Sequence, residues 1–226
     1  MSLITERFTG RAGVWAGIAL LGETTCFLAS GWTAEKMNDP AAAMALLAHG
    51  GRFLRLSAVF GASGIALTAL FVVGLYLRLR ERSPRAAIAV LVWGLVGLAS
   101  HVLIPLGLWV AIPGFVQWGA RDVTAAGNAW MAFWNVCNSA QGVGSLFDGL
   151  AMLTTGIALM GAPGVRRFAV VAIVAGIASA FTVVAVGTPV QSLVAIVYLP
   201  MIALTILFRS WGGVVLVRTA MATAPA

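Results

Sequence analysis

Apolar residues fall in six long runs separated by short polar connections, at residues 12–32, 54–79, 86–112, 128–160, 168–186 and 190–208. A helix needs about 20 apolar residues to cross the ~30 Å hydrocarbon core of a bilayer. Each run is therefore predicted to be a transmembrane helix. Within the runs, small and polar residues recur at helical spacing. Ala12, Ala16, Ala19, Glu23, Cys26 and Ser30 share one face of the first helix. Gly61, Gly64 and Thr68 share a face of the second, and Gly94, Gly97, His101 and Pro105 a face of the third. In lipid, small residues let helices approach closely and polar side chains bond across the contact. These faces are predicted to look into a bundle.

The fourth run carries the densest pattern. Asn128, Asn135, Gly142, Gly149 and Gly156 recur every seven residues, with Asn138 and Ser145 on the adjoining line and Gln141, Asp148 and Thr155 beside that. A seven-residue repeat keeps one seam against neighbouring helices. This segment is read as a central helix whose polar seam faces the other spans.

The connections carry their own signals. In Asn38-Asp39-Pro40, the aspartate suits an N-cap and the proline the first helical position. Residues 40–48 are predicted to form a short helix on the outer surface, ended by Gly50-Gly51. Pro105 is predicted to kink the third span just outside His101. Pro113-Gly114 opens a second outer loop, and Gly187-Thr188-Pro189 turns the chain between the last two spans. Trp109, Trp118 and Trp130 suit an interfacial aromatic belt. The expected fold is all-α: a polytopic membrane protein of six transmembrane helices in one bundle and one domain, residues 1–226, with a short outer-surface helix between spans 1 and 2.

Composition agrees. The chain is 61% hydrophobic and 9% charged, whereas soluble domains carry roughly a quarter charged residues. Its first partner is the lipid bilayer. The net charge of +7 comes from basic residues in the connections, which is not a nucleic-acid footprint, and no nucleic acid is expected. Arg7, Arg11, Arg78, Arg80, Arg82, Arg85, Arg166, Arg167, Arg209 and Arg218 fall on one side of a six-span model, and Lys36, Arg52, Arg55 and Arg121 on the other. The positive-inside rule then places both termini in the cytoplasm. Arginine in place of lysine and abundant alanine, glycine and valine point to a high-GC bacterial source, hence the inner membrane. Cys26 and Cys137 lie in apolar stretches and read as inert side chains.

Glu23, His101 and Asp148 are the sharp chemical candidates, because an ionisable residue in a span costs several kcal/mol and is kept for a site, a proton path or a structural pair. They are expected to line a polar pocket opening outward, with Asn135, Asn138 and Gln141 above Asp148 and with Arg55 placed to pair with Glu23. The plainer alternative is that they bond one another and fix helix packing. His49 and His101 differ too much in depth to hold a haem, and two histidines build no zinc site, so no cofactor or metal is expected. Three functions follow. The first is binding or transport of a small molecule or lipid, with Pro105 and Pro200 as points of movement. The second is a structural or assembly role for a membrane-protein partner. The third, an intramembrane enzyme using Asp148 and His101, lacks a nucleophile. Three spans followed by three also raise an inverted repeat, against which the unequal outer loops argue.

The opening Arg11-Ala12-Gly13, the outer Asn38-Asp39-Pro40 with its alanine-rich helix, the Arg55-Leu56 entry to the second span and the Arg78 to Arg85 turn together resemble a family of bacterial six-helix integral membrane proteins catalogued as a domain of unknown function. The resemblance spans most of the chain. It implies the six-helix fold and a membrane location, and it carries no catalytic residue.

Overall fold

The computed structural model describes residues 3–33, 36, 39–186 and 191–222. Its elements are α1 (Leu3–Ala29), α2 (Pro40–Leu79), α3 (Pro84–His101), α4 (Leu103–Gly119), α5 (Val123–Leu159), α6 (Arg166–Val186) and α7 (Gln191–Ala222). Among the described residues, six helical stretches are long and apolar enough to cross a membrane, α3 and α4 together forming one of them. The chain is a multi-pass helical bundle. Large apolar side chains such as Trp15, Ile88, Val110, Ile157 and Phe181 are exposed on its flanks, where lipid is the only solvent that does not oppose them.

α1 lies along α2 and α7, while α5 lies along α6 and α3. Small residues set these contacts. A methyl group on Gly149 would stand 2.6 Å from the Gly176 carbonyl oxygen, and one on Gly156 2.6 Å from that of Ala169. α5 and α6 therefore meet backbone to backbone. α1 and α7 meet in the same way at Gly10 and Gly213. Ser179 on α6 adds an interhelical hydrogen bond, its hydroxyl donating to the Ser145 carbonyl on α5 at 3.0 Å.

The bundle has two ends. Gly74 near the end of α2 packs on Thr9 and Leu216, and Gly161 after α5 faces Arg82. The start of α1, the end of α7 and the turns at Arg78–Arg85 and Gly161–Arg167 therefore share one end, the basic end. The opposite end is rich in tryptophan. There Leu47, Leu54, Leu108, Ile112, Trp130 and Trp134 form a core between α2, α4 and α5. Near the basic end a second core gathers Phe71, Leu79, Val90, Met152, Phe168 and Phe208.

Several boundaries differ from the expectation. Asp39 does cap, accepting from the Ala41 and Ala42 amides at 3.2 and 3.1 Å, and Pro40 does begin the helix. The predicted short outer-surface helix is nonetheless no separate element: it is the first turns of α2, which runs unbroken through Gly50-Gly51. The two glycines act as contact points. Gly50 packs directly on the Ser30 carbonyl at the end of α1, and both are buried. Pro113-Gly114 opens no loop, since α4 continues to Gly119; Pro113 lies on an exposed flank, where its missing N–H leaves a carbonyl near the bundle end. Trp130 belongs to the core at 1% exposure, whereas Trp109 and Trp118 are exposed at the same end. α7 runs on to Ala222, well past the expected end at Phe208. The Pro105 break is present. The helix interrupts at Val102, between α3 and α4, because Pro105 has no N–H for the His101 carbonyl four residues back. Pro200 stands inside an unbroken α7, so the two halves do not match at their prolines. Asn38 and the Gly187-Thr188-Pro189 turn lie outside the described residues.

Candidate functional site

Asp148 sits on the α5 face that meets α3, 8% exposed. About 18 Å of helix separates it from the Met160 end of α5, near mid-membrane. Its Oδ2 lies 3.4 Å from His101 Nε2 on α3 and 3.5 Å from Arg209 Nη2 on α7. Arg209, also 8% exposed, reaches the carboxylate from the far side of the bundle. Glu23 on α1 is within electrostatic range of both Arg209 and His101, and Tyr198 on α7 is within range of Glu23. Four helices thus send ionisable side chains to one region inside the bundle.

Glycines make the room. A methyl group on Gly97 would collide with Asp148 Oδ1. One on Gly144 would stand 2.9 Å from the His101 ring, and one on Gly61 2.8 Å from Glu23 Oε1. Each acidic or imidazole group therefore lies across a glycine of the facing helix. The pattern that marked Gly61, Gly97 and His101 as inward-facing has this cause: the small residues admit polar ends to the interior.

The charges nearly balance. Glu23 and Asp148 supply two carboxyl groups, Arg209 one permanent cation, and His101 a group that is cationic only when protonated. With both carboxylates ionised, neutrality requires the His101 proton; with His101 neutral, one carboxyl must hold it. A buried group without its counter-charge is expensive, and Arg209 is the permanent counter-charge that lies against Asp148.

Space in the cluster is small. The cavity bordered by Thr68, Phe71, Gly94, Asp148, Thr155 and Arg209 holds about 20 Å³, enough for about one water molecule. Among the described residues, no three His, Cys, Asp or Glu side chains converge as a metal site.

The expected pocket is therefore partly right and partly redrawn. Glu23, His101 and Asp148 do converge. Asn135 is exposed, and Asn138 and Gln141 are only half-buried. A straight helix drifts about 20° per heptad against a seven-residue repeat, so the seam that faces α6 at Gly149 and Gly156 has rotated outward by Asn135 and Asn128. Arg55 does not pair with Glu23. It faces α4, its guanidinium 4.4 Å over the Trp109 ring. Arg209, read as a cytoplasmic-end arginine, is the cluster's cation. Tyr198 was likewise not singled out.

Comparison with protein-family models, with curated proteins and with solved structures gave no match to this chain.

Proposed function

We propose that this chain is a bacterial inner-membrane protein, related to the six-helix family it resembles, in which the Glu23–His101–Asp148–Arg209 cluster is a protonation-linked binding site for a small molecule or lipid. Both termini face the cytoplasm in this reading. Nine basic residues at the basic end, against Lys36, Arg52, Arg55 and Arg121 at the other, support that orientation. The observation that carries the functional reading is that two carboxyl groups, the buried Asp148 and the half-buried Glu23, lie around one permanent cation, Arg209. A ligand that brings a charge to the cluster changes the charge balance around Arg209 and with it the number of protons the cluster holds. The α3–α4 break beside His101 gives a place where the helices can part, since the ~20 Å³ cavity admits no ligand without movement.

That small volume favours a second reading, in which the cluster only pins α1, α3, α5 and α7 together and the bundle serves as an assembly partner. One experiment separates the two. Native mass spectrometry of protein purified from its own membrane, wild type and Asp148→Asn, reads co-purifying molecules. Asn keeps an oxygen for Arg209 and removes the charge. Under the binding reading, a bound species on the wild type is lost from a folded Asp148→Asn, and its occupancy on the wild type changes with pH. Equal occupancy on both proteins, or none on either, supports the assembly reading.

A further inference from the structure

At the tryptophan-rich end, α2 and α4 leave a groove between them. It holds about 340 Å³ and is lined by Leu47, Gly51, Arg52, Arg55, Ile112 and Val116, with Pro113 and Gln117 at its border. Two arginines one helical turn apart on α2 enter it. Arg52 is exposed. Arg55 is half-buried, stacked on Trp109, and its Nε is fully buried without a hydrogen-bond acceptor. Among the described residues, neither arginine has a carboxylate within ion-pair distance. A guanidinium offers five donors in a planar fork that matches phosphate. One held against an aromatic ring with no carboxylate nearby has its charge free for an acceptor the protein does not supply.

The level of the groove says where that acceptor comes from. Arg55 and Arg78 lie on one continuous helix, and the rise between them is about 35 Å. The hydrocarbon core is ~30 Å thick. With Arg78 at the polar boundary of the basic end, Arg55 stands at the headgroup level of the opposite leaflet. The remaining walls, Leu47, Ile112 and Val116, are apolar. A cationic fork at headgroup depth beside an apolar groove is complementary to a lipid: phosphate on the arginines, acyl chain along the groove.

We infer that the α2–α4 groove is a binding site for an anionic phospholipid of the leaflet opposite the basic end, its phosphate held by Arg52 and Arg55. This site is separate from the mid-membrane cluster and stands whether or not that cluster binds a ligand. Bidentate contact to a charged phosphate is among the stronger hydrogen-bonded interactions available at a surface.

The test uses the full chain, delipidated in detergent and titrated with phosphatidylglycerol while native mass spectrometry counts bound lipids. The wild type is expected to retain one lipid more tightly than the rest, and Arg52→Gln/Arg55→Gln to lose that lipid at least tenfold. Arg52→Gln alone, at an exposed position, keeps the fold in question out of the result and should weaken binding severalfold. Val116→Trp fills the groove without touching charge and should also expel the lipid. Inorganic phosphate should not compete, because it lacks the acyl chain. Equal lipid retention by the wild type and the two arginine variants overturns the proposal. So does displacement of the lipid by inorganic phosphate, which would make this a free-anion site.

Discussion

Asp148, His101 and Glu23 were legible because an ionisable residue in an apolar run stands out against its neighbours. Arg209 was not, for a physical reason: an arginine that follows an apolar run is indistinguishable, by hydropathy alone, from one that snorkels at the interface. The signal lay beyond it. Residues 210–217 are almost wholly apolar and include Gly212-Gly213, so the helix had further to run. Charge parity was a second clue, since two carboxyl groups turned inward call for a cation. At this scale the account predicts that Asp148→Leu lowers stability by about 3–5 kcal/mol, because it removes the one carboxylate in ion-pair contact with the buried Arg209 among the described residues. Asp148→Asn should lose clearly less. Equilibrium unfolding in mixed micelles reads both, and a Leu variant as stable as the Asn variant would contradict the ion pair.

Among the elements, the number and order of the spans were readable from run length, and the Asp39-Pro40 start and the Pro105 break from local chemistry. What was not readable was whether a glycine pair ends a helix or packs it. Gly50-Gly51 carries the composition of a C-terminal stop, yet the approach of the Ser30 carbonyl turns it into a contact. Such a contact is long-range and leaves no mark in the local sequence. The upper half of the α5 seam failed similarly, because a straight helix drifts against a seven-residue repeat and turns Asn135 and Asn128 outward. The glycine contacts give a sharp prediction. Gly149→Val should cost about 1–3 kcal/mol, as overpacking does, because its Cβ meets backbone rather than a side chain that can move. Gly114→Val, where nothing lies within 4 Å, should change stability little. If the two variants unfold at the same denaturant concentration, the backbone-to-backbone packing of α5 and α6 is wrong.

For the whole molecule, the proposed orientation rests on a charge asymmetry between the two ends. Moving Arg209 into the interior removes one cation from the basic end and still leaves a clear excess there. In a background without Cys26 and Cys137, Arg121→Cys should under that proposal react with a membrane-impermeant thiol reagent added outside the cells, and Ala162→Cys only after the cells are opened. Labelling of both from one side would refute six crossings. The central claim is that one buried ion pair ties the α5 side of the bundle to the α7 side. It is tested most directly by a double-mutant cycle on Asp148→Leu and Arg209→Leu, read by equilibrium unfolding. The account predicts that each single change costs about 3–5 kcal/mol and that the double variant is no less stable than either single, since removing both partners leaves neither half of that pair behind. Losses that simply add would contradict it and would show that Asp148 and Arg209 do not act on one another.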